Sequence, residues 1–225
     1  MLRILIGLLS VSLIFVSCNK KKWLDAVPSS VEISLNGEEV NFNNGVFVVD
    51  TVFFAMKNLT IKGARLQEED INLINASTLH LGFLPHHFDE LTFNIPQGTY
   101  SSINFLGELD ANQGSNAFIS GNYYFANGTT HSVKIYFDES ILLGNQLLDT
   151  DGDEIVLTDS EAPKSIELEL DLDLLFDSVS TGHWTAANVI GGLGNTSILV
   201  SESSNIPIYE ALLEQIPTSL RSKFH

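Results

Sequence analysis

Three things are scarce in this chain. Cys18 is the only cysteine among 225 residues, so no internal disulfide can form and no thiolate cluster for zinc exists. Positive charge is short as well: 11 Lys plus Arg face 28 Asp plus Glu, a formal net charge of −17. Nucleic-acid binding relies on Lys and Arg displacing counterions from phosphates, so that class of function is excluded. The third scarcity is of long apolar runs. Ile4 to Val16 is apolar apart from Ser10 and Ser12, but 13 residues are too few to cross a hydrocarbon layer of about 30 Å as a helix. What is present is 44% hydrophobic residues, enough for the core of one large domain.

The leader carries an address. Arg3 opens it, the apolar run follows, and Ser17 precedes Cys18, so residues 1–17 read as a signal peptide. Phe15-Val16-Ser17-Cys18 resembles the lipobox of bacterial lipoproteins, with Phe15 where that pattern usually has Leu. The resemblance implies cleavage before Cys18 and acylation of its thiol and amine. Several acyl chains would hold the protein at a membrane surface. Lys20, Lys21 and Lys22 then put three positive charges beside the headgroups, which leaves seven against 28 in the body beyond residue 22, a balance of −21. A basic stub sits on an anionic membrane while the acidic body is held off it. Residues 18–30, with Pro28-Ser29-Ser30, read as lipidated cysteine and tether, and 31–225 as the folded domain.

Within that domain the dominant period is two. Val31, Ile33 and Leu35 alternate with Glu32 and Ser34, and Asn36-Gly37 suits a hairpin turn into Glu38 to Phe42. Asn44-Gly45 turns the chain again into Val46 to Val49, and Val52 to Ile61 makes a longer strand broken at Lys57 and Asn58. Leu79, Leu81 and Phe83 share a face, as do Leu91, Phe93 and Ile95; Pro96-Gln97-Gly98 then turns. A hairpin is expected across Asn127-Gly128, with Val133, Ile135 and Phe137 on one parity. Ile166, Leu168, Leu170 and Leu172 alternate with Glu167, Glu169, Asp171 and Asp173. Short helical turns are expected at Gln67 to Ile74 and Leu172 to Val179, and a C-terminal helix from Pro207 to Gln215 stopped by Pro217. The fold class is all-β, two antiparallel sheets packed face to face as a Greek-key sandwich, with a short C-terminal helix.

The lipobox and its Asn-Lys tether, the segment from Phe93 to Tyr100 with Ser102-Ile103-Asn104-Phe105, and Leu168-Glu169-Leu170-Asp171-Leu172 together resemble uncharacterised lipoproteins of the Bacteroidota. That resemblance implies an immunoglobulin-like or transthyretin-like β-sandwich body. The strand-turn-strand around Gly98-Thr99-Tyr100 is also similar to a periplasmic family linked to copper-peptide uptake.

Catalytic signatures are absent from the sequence. It has no Gly-x-Ser-x-Gly elbow, no His-Glu-x-x-His and no Walker loop, and Gly191-Gly192-Leu193-Gly194 lacks the Lys-Ser/Thr of a phosphate loop. Asp149, Asp151 and Asp153 recur at every second position with Glu154 adjacent, the oxygen-rich spacing that a calcium ion uses. Glu154 stands where an EF-hand has glycine, and Ser160 where it has its bidentate glutamate, so a solvated acidic loop is the other reading. His86, His87, Asp89 and Glu90 lie together in sequence, and His80 and His131 are expected on neighbouring strands, a second metal arrangement. Trp184, preceded by His183 in a polar stretch without strand pattern, is a candidate platform for a sugar or peptide, against the alternative that it fills the core.

The expectation is therefore a non-catalytic, lipid-anchored binding protein of the cell envelope, on the periplasmic face of an outer membrane, with a glycan, a metal or an envelope protein as partner. The rivals are an assembly subunit and a hydrolase with a dispersed carboxylate site.

Overall fold

The computed structural model describes residues 26–66, 68–84, 87–88, 91–110, 117–148, 151, 156–157, 164–192 and 195–225. Residues 1–25, with Cys18, lie outside that set. Within it the chain forms two sheets over a common core.

The smaller sheet has four strands, β1 (Ala26–Asn36), β7 (Thr92–Pro96), β13 (Lys164–Asp171) and β16 (Leu220–Phe224), in the order β16-β13-β1-β7. Its inner face is the apolar parity expected: Ile166, Leu168 and Leu170 are buried in β13 and Phe93 and Ile95 in β7. Pro28-Ser29-Ser30, expected as linker, is part of β1, where Ser29 pairs with Phe93 of β7. Proline is tolerated there because β13 joins β1 only from Ser29 onward, so nothing on that side needs the missing N–H. Asn36-Gly37 is not a hairpin turn. Gly37 adopts φ of 87° and carries the chain from the end of β1 into the other sheet.

The larger sheet is built around β3 (Gly45–Arg65), 21 residues long. One edge of β3 carries in succession β2 (Glu39–Phe42), β5 (Leu79–Leu84) and β4 (Ile71–Asn75). The other edge carries β9 (Ala117–Phe125) and β8 (Thr99–Leu109). Beyond these lie β10 (Thr130–Tyr136), β15 (Asn195–Val200) and β14 (Val189–Gly192) on one side and β11 (Leu142–Leu147) on the other, with β6 (His87–Phe88) on β5 and β12 (Val156–Leu157) on β8.

Two bulges let β3 keep one face inward along its whole length. The buried residues are Phe47 and Val49, then Val52, Phe54 and Met56, then Leu59 and Ile61, so the inward parity switches from odd to even and back. The switches coincide with register shifts at Val49/Thr51 and Lys57/Thr60, where Asn58 takes φ of 55°. Each extra residue re-aims the strand without exposing its apolar set. The Lys57-Asn58 interruption visible in sequence is the second of them.

Two ladders depart from the expected antiparallel pattern: β1 with β13 and β10 with β15 are parallel. The β9–β10 hairpin turns at Asn127-Gly128 as expected, with Gly128 at φ of 86°. At the corner between sheets, Tyr100 is buried and its hydroxyl donates to the Pro96 carbonyl at 2.6 Å, locking the turn from β7 into β8. Phe224 N donates to Leu148 O at 2.8 Å, joining the β16 edge of one sheet to the end of β11 in the other.

Three helices are present among the described residues: α1 (Leu172–Leu175), α2 (Thr181–Thr185) and α3 (Ile206–Ser219). Where a helical turn is expected over Gln67 to Ile74, the residues from Ile71 begin a strand, Ile71–Asn75, because the free edge of β3 offers them a ladder. α3 buries Ile208, Leu212 and Ile216, spaced by four. It continues past Gln215 with Pro217 inside it. Thr218 Oγ1 donates to Gln215 O at 2.9 Å and Ser219 Oγ to Ile216 O at 3.0 Å, which satisfies carbonyls that a helix end leaves open.

Candidate ligand-binding surface

Trp184 lies on α2, whose start is fixed by a capping box. Ser180 Oγ accepts from His183 N at 3.2 Å, and His183 Nδ1 accepts from Ser180 N at 3.2 Å. Turning the helix this way drives Trp184 into the core, where it is 1% exposed. Its ring meets Tyr123 at 4.6 Å between centroids, Phe42 and Phe47 at 5.8 Å each and Phe176 at 6.5 Å. No ring face is open to a ligand, so the platform expected from sequence gives way to a packing role, and His183 is occupied as a capping residue. Tyr123 donates to Asn44 Oδ1 at 2.6 Å, and Asn44 Nδ2 donates to Thr185 Oγ1 at 2.9 Å, which ties α2 to the β2–β3 turn. Burial pushes the Tyr123 phenol up to about 12.

Of the acidic loop, Asp151 is described, exposed in a turn; Asp149, Asp153 and Glu154 lie outside the described residues. His86, Asp89 and Glu90 do so too. His80 and His131 are not on neighbouring strands, because β3 and β9 stand between β5 and β10. His80 stacks on Phe53 at 5.9 Å, and His131 Nδ1 lies 2.6 Å from Thr196 Oγ1. Among the described residues no group of three or more His, Cys, Asp or Glu comes together to hold a metal ion.

The nearest approach to a catalytic arrangement is on the outer face of the smaller sheet. Ser34 Oγ donates to Glu167 Oε1 at 2.9 Å, and His225 Nε2 lies 3.1 Å from Glu167 Oε2. The carboxylate stands between serine and imidazole, so the imidazole cannot take the hydroxyl proton as a general base must. The serine hydroxyl, followed by His225, holds the Glu167 carboxyl below its ordinary range, against a smaller opposing effect of burial. A second charged cluster joins Lys57 to Asp110 at 3.1 Å and Glu108 at 3.4 Å across the lower β3 bulge. These are exposed or half-exposed ion pairs that stitch strands together.

The outer face of the larger sheet has two features that only strand register assembles. Phe53, Phe118 and Tyr136 stand directly opposite one another on β3, β9 and β10, with rings 5.7 and 6.2 Å apart, and His80 extends the row. Cross-strand ring pairs of this kind stabilise a sheet. Further along β3, Lys62 stands opposite Asn72 of β4 on one side and Asn104 of β8 on the other, and Asn104 opposite Gln146 of β11. This polar row crosses a hollow of about 330 Å³ lined by Lys62, Asp70, Asn72, Ser102 and Asn104, with Ala64 beside them, while the Ile71 side chain turns inward against the core.

Asp70 Oδ1 accepts from Arg65 N at 3.3 Å, so the loop before β4 is drawn back over one side of the hollow. Among the described residues the side chains of Lys62, Asn72, Ser102 and Asn104 make no hydrogen bond or ion pair. Four polar groups therefore converge on one concavity, with their bonding capacity unspent among the described residues. Sequence reading missed them because each is an ordinary outward position of its own strand. Their shared outward parity is visible in sequence, but their meeting is a matter of register.

No protein-family model matches the chain, and neither a curated protein nor a solved structure shows significant similarity to it.

Proposed function

We propose that the chain is a lipid-anchored, non-catalytic binding protein of a bacterial cell envelope, attached through acylated Cys18 and facing the periplasm from an outer membrane, similar in kind to Bacteroidota lipoproteins. The observation that carries the binding role is the hollow on the larger sheet, where Lys62, Asn72, Ser102 and Asn104 present unspent polar groups. Placed polar groups in a concave site fix the orientation of a ligand and give it specificity. The anchoring half rests on Phe15-Val16-Ser17-Cys18 and the following lysines. We assign the body to the immunoglobulin-like or transthyretin-like sandwiches; the two packed sheets and the tyrosine-locked corner at Tyr100 support that assignment.

The tether sets a distance. β1 begins at Ala26, and the eight residues from Cys18 span at most about 29 Å when fully extended. The body is thereby kept beside the membrane, where a strongly acidic surface is repelled by anionic headgroups and stays upright on its stub.

Metabolic labelling with an alkyne-bearing fatty acid, followed by membrane fractionation, tests the anchor. The parent chain incorporates label and fractionates with the outer membrane, and Cys18→Ala loses both. Label-free residue 18 in secreted parent protein overturns the reading. A thermal-shift screen of the full chain with calcium, copper and glycans tests binding, since a ligand that prefers the native state raises the melting point.

A further inference from the structure

We infer that the hollow between β3, β4 and β8 takes a neutral, polyhydroxylated ring, that is, one sugar residue of a glycan. This rests on the binding role proposed above and names the ligand class of the same site. The argument is one of chemical matching. Asn72 and Asn104 each offer an amide donor and an amide acceptor, Ser102 offers a hydroxyl, and Lys62 and Asp70 add one donor and one acceptor group of opposite charge. Vicinal hydroxyls are the ligand groups that both give and receive hydrogen bonds at close spacing, so they can satisfy such a mixed set. A purely apolar ligand would bury these groups without partners.

Charge narrows the class further. Lys62 and Asp70 cancel within the hollow, while the body around it carries −21. A polyanion meets the general field of that body and the Asp70 carboxylate. A cation meets the Lys62 ammonium, which has no carboxylate partner among the described residues. The hollow is also small, about 330 Å³, at the lower end for ligand pockets, and Ala64, on the same outward parity as Lys62, gives the C–H face of a sugar an apolar contact.

The register makes the set rigid. Asn72, Lys62 and Asn104 stand side by side on three hydrogen-bonded strands, so their spacing is held by the ladder and not by loops. Pre-arranged side chains lose less freedom when a ligand arrives.

The test uses the full chain in a detergent without sugar headgroups, titrated calorimetrically with methyl glucoside, methyl galactoside, N-acetylglucosamine and glucuronate. At least one neutral sugar is expected to bind, more tightly than glucuronate. The double variant Asn72→Ala/Asn104→Ala should weaken that sugar by about tenfold or more, at an unchanged melting point, because neither side chain holds the fold together. Preference for glucuronate, sugar binding indifferent to the double variant, or no binding of any of the four overturns the assignment. The anchoring reading fails separately, on acylation of Cys18, which is measured without any sugar.

Discussion

Replacing Trp184 with alanine separates the packing role from the platform role most directly. The tryptophan is 1% exposed and surrounded by Tyr123, Phe42, Phe47 and Phe176. A side chain of this kind removes roughly 150–250 Å² from water. At about 25 cal/mol per Å² that corresponds to about 4–6 kcal/mol, and core Trp→Ala changes cost about 3–5 kcal/mol. Against a total stability of about 5–15 kcal/mol, the loss is a large fraction of what holds the fold.

Trp184→Phe supplies the control. The indole Nε1 is buried and finds no acceptor among the described residues, so its removal forfeits no hydrogen bond to them and relieves a buried polar group. The phenylalanine variant should therefore lose about 2 kcal/mol or less, through the smaller ring alone. Urea unfolding followed by far-ultraviolet circular dichroism reads both, with unchanged slopes identifying a change in stability. A Trp184→Ala unfolding free energy within about 1 kcal/mol of the parent would refute the packing argument.

Three further outcomes follow from the same structure. Tyr123→Phe should cost about 1–2 kcal/mol by leaving Asn44 Oδ1 without its donor, as measured by urea unfolding at neutral pH. It should also flatten the alkaline limb: burial raises the folded phenol from 10.0 to about 12, so its contribution is complete below about pH 10 and disappears as pH rises toward 12. A phenolate absorbance titration that loses no late-ionising group in the variant would contradict this. Glu167→Gln should lower stability at neutral pH and weaken the acid dependence. The folded carboxyl is held below its ordinary range by Ser34 and His225, so its contribution is present above the unfolded pKa and is lost as pH falls through the lower folded one. Melting curves at stepped acid pH check it, and parallel parent and variant profiles would refute it. Gly121→Ala should be among the most damaging single-methyl additions, because a Cβ there would lie 2.1 Å from the Val48 carbonyl oxygen on the paired strand. Overpacking of this kind costs about 1–3 kcal/mol or more, and thermal unfolding of purified protein reads the loss.

The strands legible in sequence are those whose alternation is uninterrupted. β13 shows its pattern from Ile166 to Leu170, and those residues are buried as the alternation requires. Interruptions were harder. The pair Lys57-Asn58 reads as a break, yet it is a bulge that keeps one strand continuous and its core face inward. Ile71 to Asn75 has mixed local preferences and becomes a strand only because β3 leaves an edge for it. The last strand, β16, was not anticipated. It begins at the residue after α3 and is recruited by the exposed edge of β13, far away in sequence.

Sequence by itself determined the acidic composition, the single cysteine after an apolar run, and the alternation that makes most of the described chain strand, because those depend on composition and on neighbours one or two residues apart. Tertiary structure decided which strands pair, that two ladders run parallel, that Trp184 faces inward, and that Lys62, Asn72, Ser102 and Asn104 meet at one hollow. The reason is register. A strand's own pattern says which side chains point outward, but only its hydrogen-bonded partners determine which outward side chains become neighbours.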